Sequence, residues 1–124
     1  MAQPTVVIVE DDVAIAQALA FIAEKEGYRV LVAMDGNTAG EMIRREQPVL
    51  VILDLDLPQK NGLEVCRDIR AEPQLGGTYI LVLTALGQRW DEEAALAAGA
   101  NEYLRKPFDP HLIRDKLQAL RPAS

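Results

Sequence analysis

A chain of 124 residues, 49% of them hydrophobic, has the size of one domain and enough apolar content for one buried core. Its net charge of −6 repels phosphate backbones and anionic lipid, which argues against direct nucleic-acid or membrane binding by this domain. The single cysteine, Cys66, excludes an internal disulfide and, lying near Val65 and Ile69 in a helical-looking stretch, reads as a small buried hydrophobe.

In chain order, TVVIV (Thr5 to Val9) is short, β-branched and free of polar residues, the pattern of a strand covered on both faces. From Val13 to Glu26, Ile15, Leu19 and Ile22 recur at helical spacing, with Asp12 placed as N-cap and Gly27 just past the end. The alternation continues with YRVLVA as a strand, Thr38 to Glu46 as a helix stopped before Pro48, and VLVILD as a strand. Leu63 to Ala71 reads as a helix ending before Pro73, followed by the strand TYILVLT and a helix through WDEEAALAAG. A short strand, NEYLR, leads to a last helix that opens at DPHLI, where Asp109 can cap and Pro110 suits the first turn. About five strand–helix units imply an α/β fold: a doubly wound, open parallel sheet with helices on both faces. The core spans about residues 5–120, and RPAS at 121–124 reads as a tail or the start of a linker. The start of the chain lacks a basic segment followed by an apolar one, and no apolar run reaches about 18 residues, so neither export nor membrane insertion is expected and a cytoplasmic setting fits.

Doubly wound sheets bind ligands beyond the carboxyl ends of their strands, at the point where the connection order reverses. Glu10 and Asp11 close the first strand and Asp54 closes the third. If those strands are neighbours, as in the order 2-1-3-4-5, three carboxylates meet in one crevice, and their mutual repulsion calls for a cation or a proton. Mg²⁺ suits such a site because it prefers oxygen ligands and keeps coordination positions open for a phosphate. Thr84 ends the fourth apolar run and Lys106 follows the fifth, so a hydroxyl and an ammonium would join the acids around a phosphoryl group. Asp54 is then the acceptor, forming an acyl phosphate.

At this point the sequence resembles the receiver domains of two-component response regulators. The resemblance covers Thr5 to Leu120 and rests on VEDD with Glu10 and Asp11, LDLDLPQKNGLEV with Asp54, Pro58 and Gly62, LTA with Thr84 and Ala85, and YLRKPF with Tyr103, Lys106 and Pro107. It implies a flavodoxin-like (βα)5 fold with a five-stranded parallel sheet in the order 2-1-3-4-5. It also implies phosphorylation of Asp54 by a sensor histidine kinase or a phosphotransfer protein, with the domain catalysing only its own phosphorylation and dephosphorylation. Mg²⁺ would be held by Asp11, Asp54 and the backbone carbonyl of Asp56, with Glu10 acting through water. Thr84 and Lys106 would hold phosphoryl oxygens, and Tyr103 would turn inward when Thr84 moves. The resemblance further implies a cis bond between Lys106 and Pro107, and a switching face from helix four through strand five to helix five, carrying Trp90, Tyr103, Arg105 and Lys116. That face would support a phosphorylation-dependent homodimer. Asp56 and Leu86 occupy two positions that tune acyl-phosphate lifetime in the family, where an acid that orients water and a leucine that shields the site act in opposite directions.

Taken singly, each of these residues has a plainer reading. EDD after a strand is commonly a capped loop, a Thr at a strand end reflects β-propensity, a Lys is usually a solvated charge, and Tyr103 could simply pack. His111, in the first turn of the last helix, reads as a surface residue. Two rival functions share parts of the pattern. DLD also resembles the Asp-x-Asp nucleophile of haloacid-dehalogenase phosphatases, but there it follows the first strand. An FMN-binding flavodoxin-like carrier would need a Ser/Thr/Gly-rich phosphate loop where this chain has EDD.

Overall fold

The computed structural model of the protein describes residues 3–85 and 89–122, with residues 89–91 described by backbone alone. Leu86 and the side chain of Trp90, both singled out in the sequence, lie outside the described residues. The elements are β1 (Thr5–Val9), α1 (Val13–Lys25), β2 (Arg29–Ala33), α2 (Gly36–Glu46), β3 (Leu50–Asp54), α3 (Gly62–Ala71), a short 3-10 turn at Pro73–Leu75, β4 (Tyr79–Thr84), α4 (Arg89–Ala97), β5 (Glu102–Arg105) and α5 (Pro110–Leu120). The five strands form one parallel sheet in the order β2-β1-β3-β4-β5. That is the doubly wound, flavodoxin-like order the sequence led us to expect.

Both faces of the sheet are covered, which is why its inner strands read as unbroken apolar runs. Successive side chains on a strand point to opposite faces. Val7, Val9, Val51, Leu53, Ile80 and Val82 accordingly pack with residues of α2, α3 and α4 such as Ile43, Ile69 and Ala95. Val6, Ile8, Leu50, Ile52, Leu81 and Leu83 face the other way, onto Leu19 and Ala23 of α1 and Ile113 and Leu117 of α5. Each such aliphatic side chain, fully withdrawn from water, contributes roughly 1.5–3 kcal/mol before the entropy of ordering is counted. Cys66 is buried in the first of these layers, as expected, and burial pushes its thiol up to about 11, so it packs as a neutral group.

Helix ends follow local capping chemistry. Asp12 accepts the N–H of Ile15 at 3.2 Å and Asp109 accepts that of His111 at 2.9 Å, as their sequence context suggested. α2 starts at Gly36 rather than Thr38, because Asp35 accepts both the Thr38 N–H at 2.8 Å and the Thr38 hydroxyl at 3.0 Å. α3 likewise starts one residue earlier than expected, at Gly62, capped by Asn61 through the Glu64 N–H at 3.0 Å. α4 ends at Ala97, and Gly99, at φ 111, carries the chain away in a left-handed turn. The 3-10 turn at Pro73–Leu75 was not anticipated; Pro73 stops α3 and its fixed φ starts the new turn.

Candidate functional site

Strand register assembles the site. In the β1–β3 pairing Val9 lies opposite Leu53, so Glu10 and Asp54, each one residue further on, emerge side by side. The Glu10 N–H donates to the Ala33 carbonyl at 3.0 Å, extending the ladder one step past the strand. Asp54 pairs with Leu83, which places Thr84 one step beyond it, and Thr84 pairs with Arg105, which places Lys106 one step beyond again. A Lys106 N–H bond to the Thr84 carbonyl at 2.8 Å fixes that last step, and the Lys106–Pro107 peptide is cis, as the resemblance implied. Four residues that the sequence spreads over about a hundred positions thus share the carboxyl edge of neighbouring strands.

Glu10, Asp54 and Thr84 are 1%, 4% and 2% exposed, deep for groups that carry or bind charge, whereas Asp11 stands at the surface. One ligand oxygen from each of Glu10, Asp11 and Asp54 falls within 4.8 Å of the others. Lys106 reaches in from β5: its Nζ donates to Glu10 Oε2 at 2.8 Å and lies 3.4 Å from Asp54 Oδ2. Burial and then the Glu10 charge raise the Asp54 carboxyl to about 6, outweighing the lowering effects of Lys106 and of the Asp56 N–H. Burial works to lower the Lys106 pKa, but the hydrogen bond to Glu10 and the Asp54 charge overcome it and hold the ammonium above its ordinary range.

The residues fit a hard divalent cation. Three carboxylates converge while Lys106 supplies one positive charge, so the crevice is left net negative, and its donors are the oxygens that Mg²⁺ prefers. The loop after β3 is tied to Asp54 by the Asp56 N–H, which donates to Asp54 Oδ1 at 3.2 Å, while the Asp56 side chain is exposed. Behind the loop Gly62 must lack a side chain, because a Cβ there would sit 2.5 Å from the Asp54 carbonyl oxygen.

Tyr103 is half-buried against the layer under α2, α3 and α4, level with Val82 and so two positions short of the sheet edge that carries Thr84. Arg105 is exposed and ion-paired with buried Glu92 of α4 at 2.5 Å, and Lys116 of α5 pairs with Glu102 at 3.2 Å. An open groove of about 450 Å³ beside them is lined by Tyr103, Arg105, Pro107, Phe108 and Leu112. His111 is exposed, consistent with the surface reading. Sequence reasoning missed the partner of Arg105, because Glu92 lies on a different element and no local pattern joins the two. It also missed the ion pair of Lys60 with Asp68 and the bond from Asn37 to Gln59 at 3.1 Å, which brace the loop after Asp54.

The family model described as "Response regulator receiver domain" matches residues 6–118. Solved structures agree. The BeF3-activated N-terminal receiver domain of Klebsiella pneumoniae RstA is 35% identical with a TM-score of 0.85, over 95% of this chain and 99% of that one. A protein assigned as a response regulator from Chloroflexus aurantiacus J-10-fl is 34% identical with a TM-score of 0.89, over 96% and 98% of the two chains. The receiver domain of the sensor histidine kinase PA1611 from Pseudomonas aeruginosa PAO1, which has a magnesium ion coordinated in its active site cleft, is 31% identical with a TM-score of 0.86, over 96% and 98%. Among the described residues, no helix is long and apolar enough to cross a membrane.

Proposed function

This chain belongs to the response regulator receiver domain family, and from that premise we propose that Asp54 accepts a phosphoryl group from a histidine kinase or phosphotransfer protein in a Mg²⁺-dependent reaction. The observation that carries the proposal is the placement of Asp54: a nearly buried carboxylate at a strand end, 3.4 Å from Lys106 Nζ and clustered with Glu10 and Asp11. The flavodoxin and phosphatase alternatives offer no comparable fit, since carboxylates occupy the first loop and Asp54 closes the third strand.

In the transfer, an Asp54 carboxylate oxygen attacks phosphorus as the N–P bond of the donor phosphohistidine breaks. The bonding pair stays with the imidazole, which takes up a proton, and Asp54 becomes an acyl phosphate. Hydrolysis reverses the state: water attacks phosphorus, the O–P bond breaks, and inorganic phosphate leaves with the Asp54 carboxylate restored. Mg²⁺, when bound, supplies neutralisation of charge on the phosphoryl oxygens. Asp11, Asp54 and the Asp56 backbone carbonyl would hold it, with Glu10 acting through water. Lys106 is already aimed at Asp54 by its bond to Glu10 and can turn to a phosphoryl oxygen; the Thr84 hydroxyl takes another.

Phosphorylation adds about −1.5 to −2 charge at one strand end, and Thr84 and Lys106 follow it only by shifting the segments that carry them. Tyr103, half-buried two positions short of that edge, then turns inward and remodels the face of α4, β5 and α5. Self-association as a homodimer, or partner binding, through that face relays the signal from a cytoplasmic receiver, with no direct contact to nucleic acid or membrane. The test is incubation with acetyl phosphate and Mg²⁺. Wild type should acquire hydroxylamine-sensitive label and Asp54→Asn none; label persisting on the variant refutes Asp54 as acceptor. Sedimentation with beryllofluoride, repeated on Arg105→Glu, reads the face; an unchanged association state together with unchanged amide spectra of residues 85–106 refutes the switch.

A further inference from the structure

The loop that follows Asp54 is held at both ends by helices whose first residue is glycine. At the near end is Gly62 of α3, where an added Cβ would meet the Asp54 carbonyl oxygen at 2.5 Å and the Leu55 Cα at 2.8 Å. At the far end is Gly36 of α2, a helix that contributes no group to the acidic crevice. A Cβ on Gly36 would lie 2.2 Å from the Lys60 carbonyl oxygen, 2.7 Å from the Lys60 Cβ and 2.9 Å from the Lys60 carbonyl carbon. Two of those three atoms are backbone, so no side-chain rotation relieves the clash and the loop itself must move.

The loop has little slack with which to absorb that movement. Gln59 sits at φ 70, a conformation that crowds any side chain, and the Lys60 N–H donates to the Pro58 carbonyl at 2.8 Å. The Gly62 N–H returns to the Leu55 carbonyl at 3.1 Å and closes the loop on itself. Asn37, next to Gly36, donates to the Gln59 side chain at 3.1 Å, while Lys60 pairs with Asp68 of α3. α2 and α3 therefore grip the same short segment from two sides.

We propose that Gly36 is a positioning residue for the phosphorylation site: the start of α2, seated directly on the Lys60 backbone, sets the position of the loop and with it the Asp56 carbonyl that would hold the cation. The proposal rests on the reading of Asp56 as a Mg²⁺ ligand. Gly36 touches neither phosphoryl group nor cation, and its effect is exerted through the loop alone. Its hydrogen-bonded neighbour Asn37 belongs to the same clamp. Residues that orient a metal's ligands from outside commonly change affinity by about 10- to 100-fold when altered.

The experiment compares Mg²⁺ titrations and metal-free amide spectra of the wild type, Gly36→Ala, Asn37→Ala, Asp11→Asn and Leu117→Ala. Gly36→Ala should weaken Mg²⁺ by about tenfold or more and displace the amide signals of residues 55–61 before any metal is added. Asn37→Ala removes a bond without adding an atom, should give a smaller loss in the same direction, and decides the matter if Gly36→Ala does not fold. Leu117→Ala, in the layer on the opposite side of the sheet, should lower the urea midpoint and leave Mg²⁺ affinity unchanged, separating loop position from global stability. Wild-type affinity in both Gly36→Ala and Asn37→Ala, with Asp11→Asn impaired, overturns the positioning role while the metal site stands. If Asp11→Asn also binds as the wild type does, the reading of the metal site has failed, and the metal-free amides of residues 55–61 still decide whether Gly36 holds the loop.

Discussion

Replacing Asp54 with Asn should stabilise the metal-free protein and make it indifferent to Mg²⁺. The substitution is sterically clean: an Asn Oδ1 can keep the Asp56 N–H, which donates at 3.2 Å, and Lys106 keeps Glu10 at 2.8 Å. The protonated Asp54 shares a hydrogen bond with Glu10, and an amide N–H can reproduce it. What disappears is the ionisation of a buried carboxylate beside another acid. Raising that carboxyl from 3.8 in the ordinary chain to about 6 in the fold is worth about 3 kcal/mol, at about 1.4 kcal/mol per unit. Because the folded-state value is the higher one, the stabilising contribution is complete below pH 3.8 and is lost as pH rises to about 6. The wild type should therefore lose stability relative to Asp54→Asn across that window and trail it by up to about 3 kcal/mol at pH 7. Urea denaturation of both proteins between pH 4 and pH 7, without metal, reads the difference directly, since titrating groups remote from Asp54 cancel and equal m-values show that the unfolded states match. Adding Mg²⁺ at about 100 times its dissociation constant should return about 2.7 kcal/mol to the wild type and little to the variant. A stability difference that stays flat across this pH range refutes the claim that Glu10 and burial hold the Asp54 proton.

Two further expectations concern the fold that carries the site. Tyr28→Phe deletes the buried bond from the Tyr28 hydroxyl to the Leu117 carbonyl at 2.7 Å, which should cost about 1–2 kcal/mol at neutral pH. Burial raises the Tyr28 pKa above 10.0 against the opposing Arg121 charge, so above pH 10 the unfolded chain ionises first and the wild type's lead in urea over Tyr28→Phe should shrink. Ile52→Ala, at a fully buried position of β3, should cost about 2–5 kcal/mol through lost burial and the cavity left behind. Circular dichroism during urea unfolding measures it, and a loss below about 1 kcal/mol would mean that the layer collapses around the gap.

Local patterns in the chain determined the elements and the chemistry. Apolar β-branched runs bounded by acids identify strands buried on both faces, and Asp12 and Asp109 mark helix starts because capping needs only a side chain and an N–H a few residues away. The residue types at the strand ends, Glu10, Asp11, Asp54, Thr84 and Lys106, were legible for the same reason: in a parallel sheet the carboxyl ends of the strands share one edge, so order along the chain nearly becomes proximity in space. Tertiary structure alone decided which of them touch. Lys106 meets Glu10 more closely than Asp54, and Arg105 finds Glu92, because side-chain partners across elements depend on register, twist and reach that no local pattern encodes. The seat of Gly36 on Lys60 is of the same kind. In the sequence it is one glycine after a capping aspartate, and only the approach of α2 to the loop after β3 gives the missing side chain its purpose.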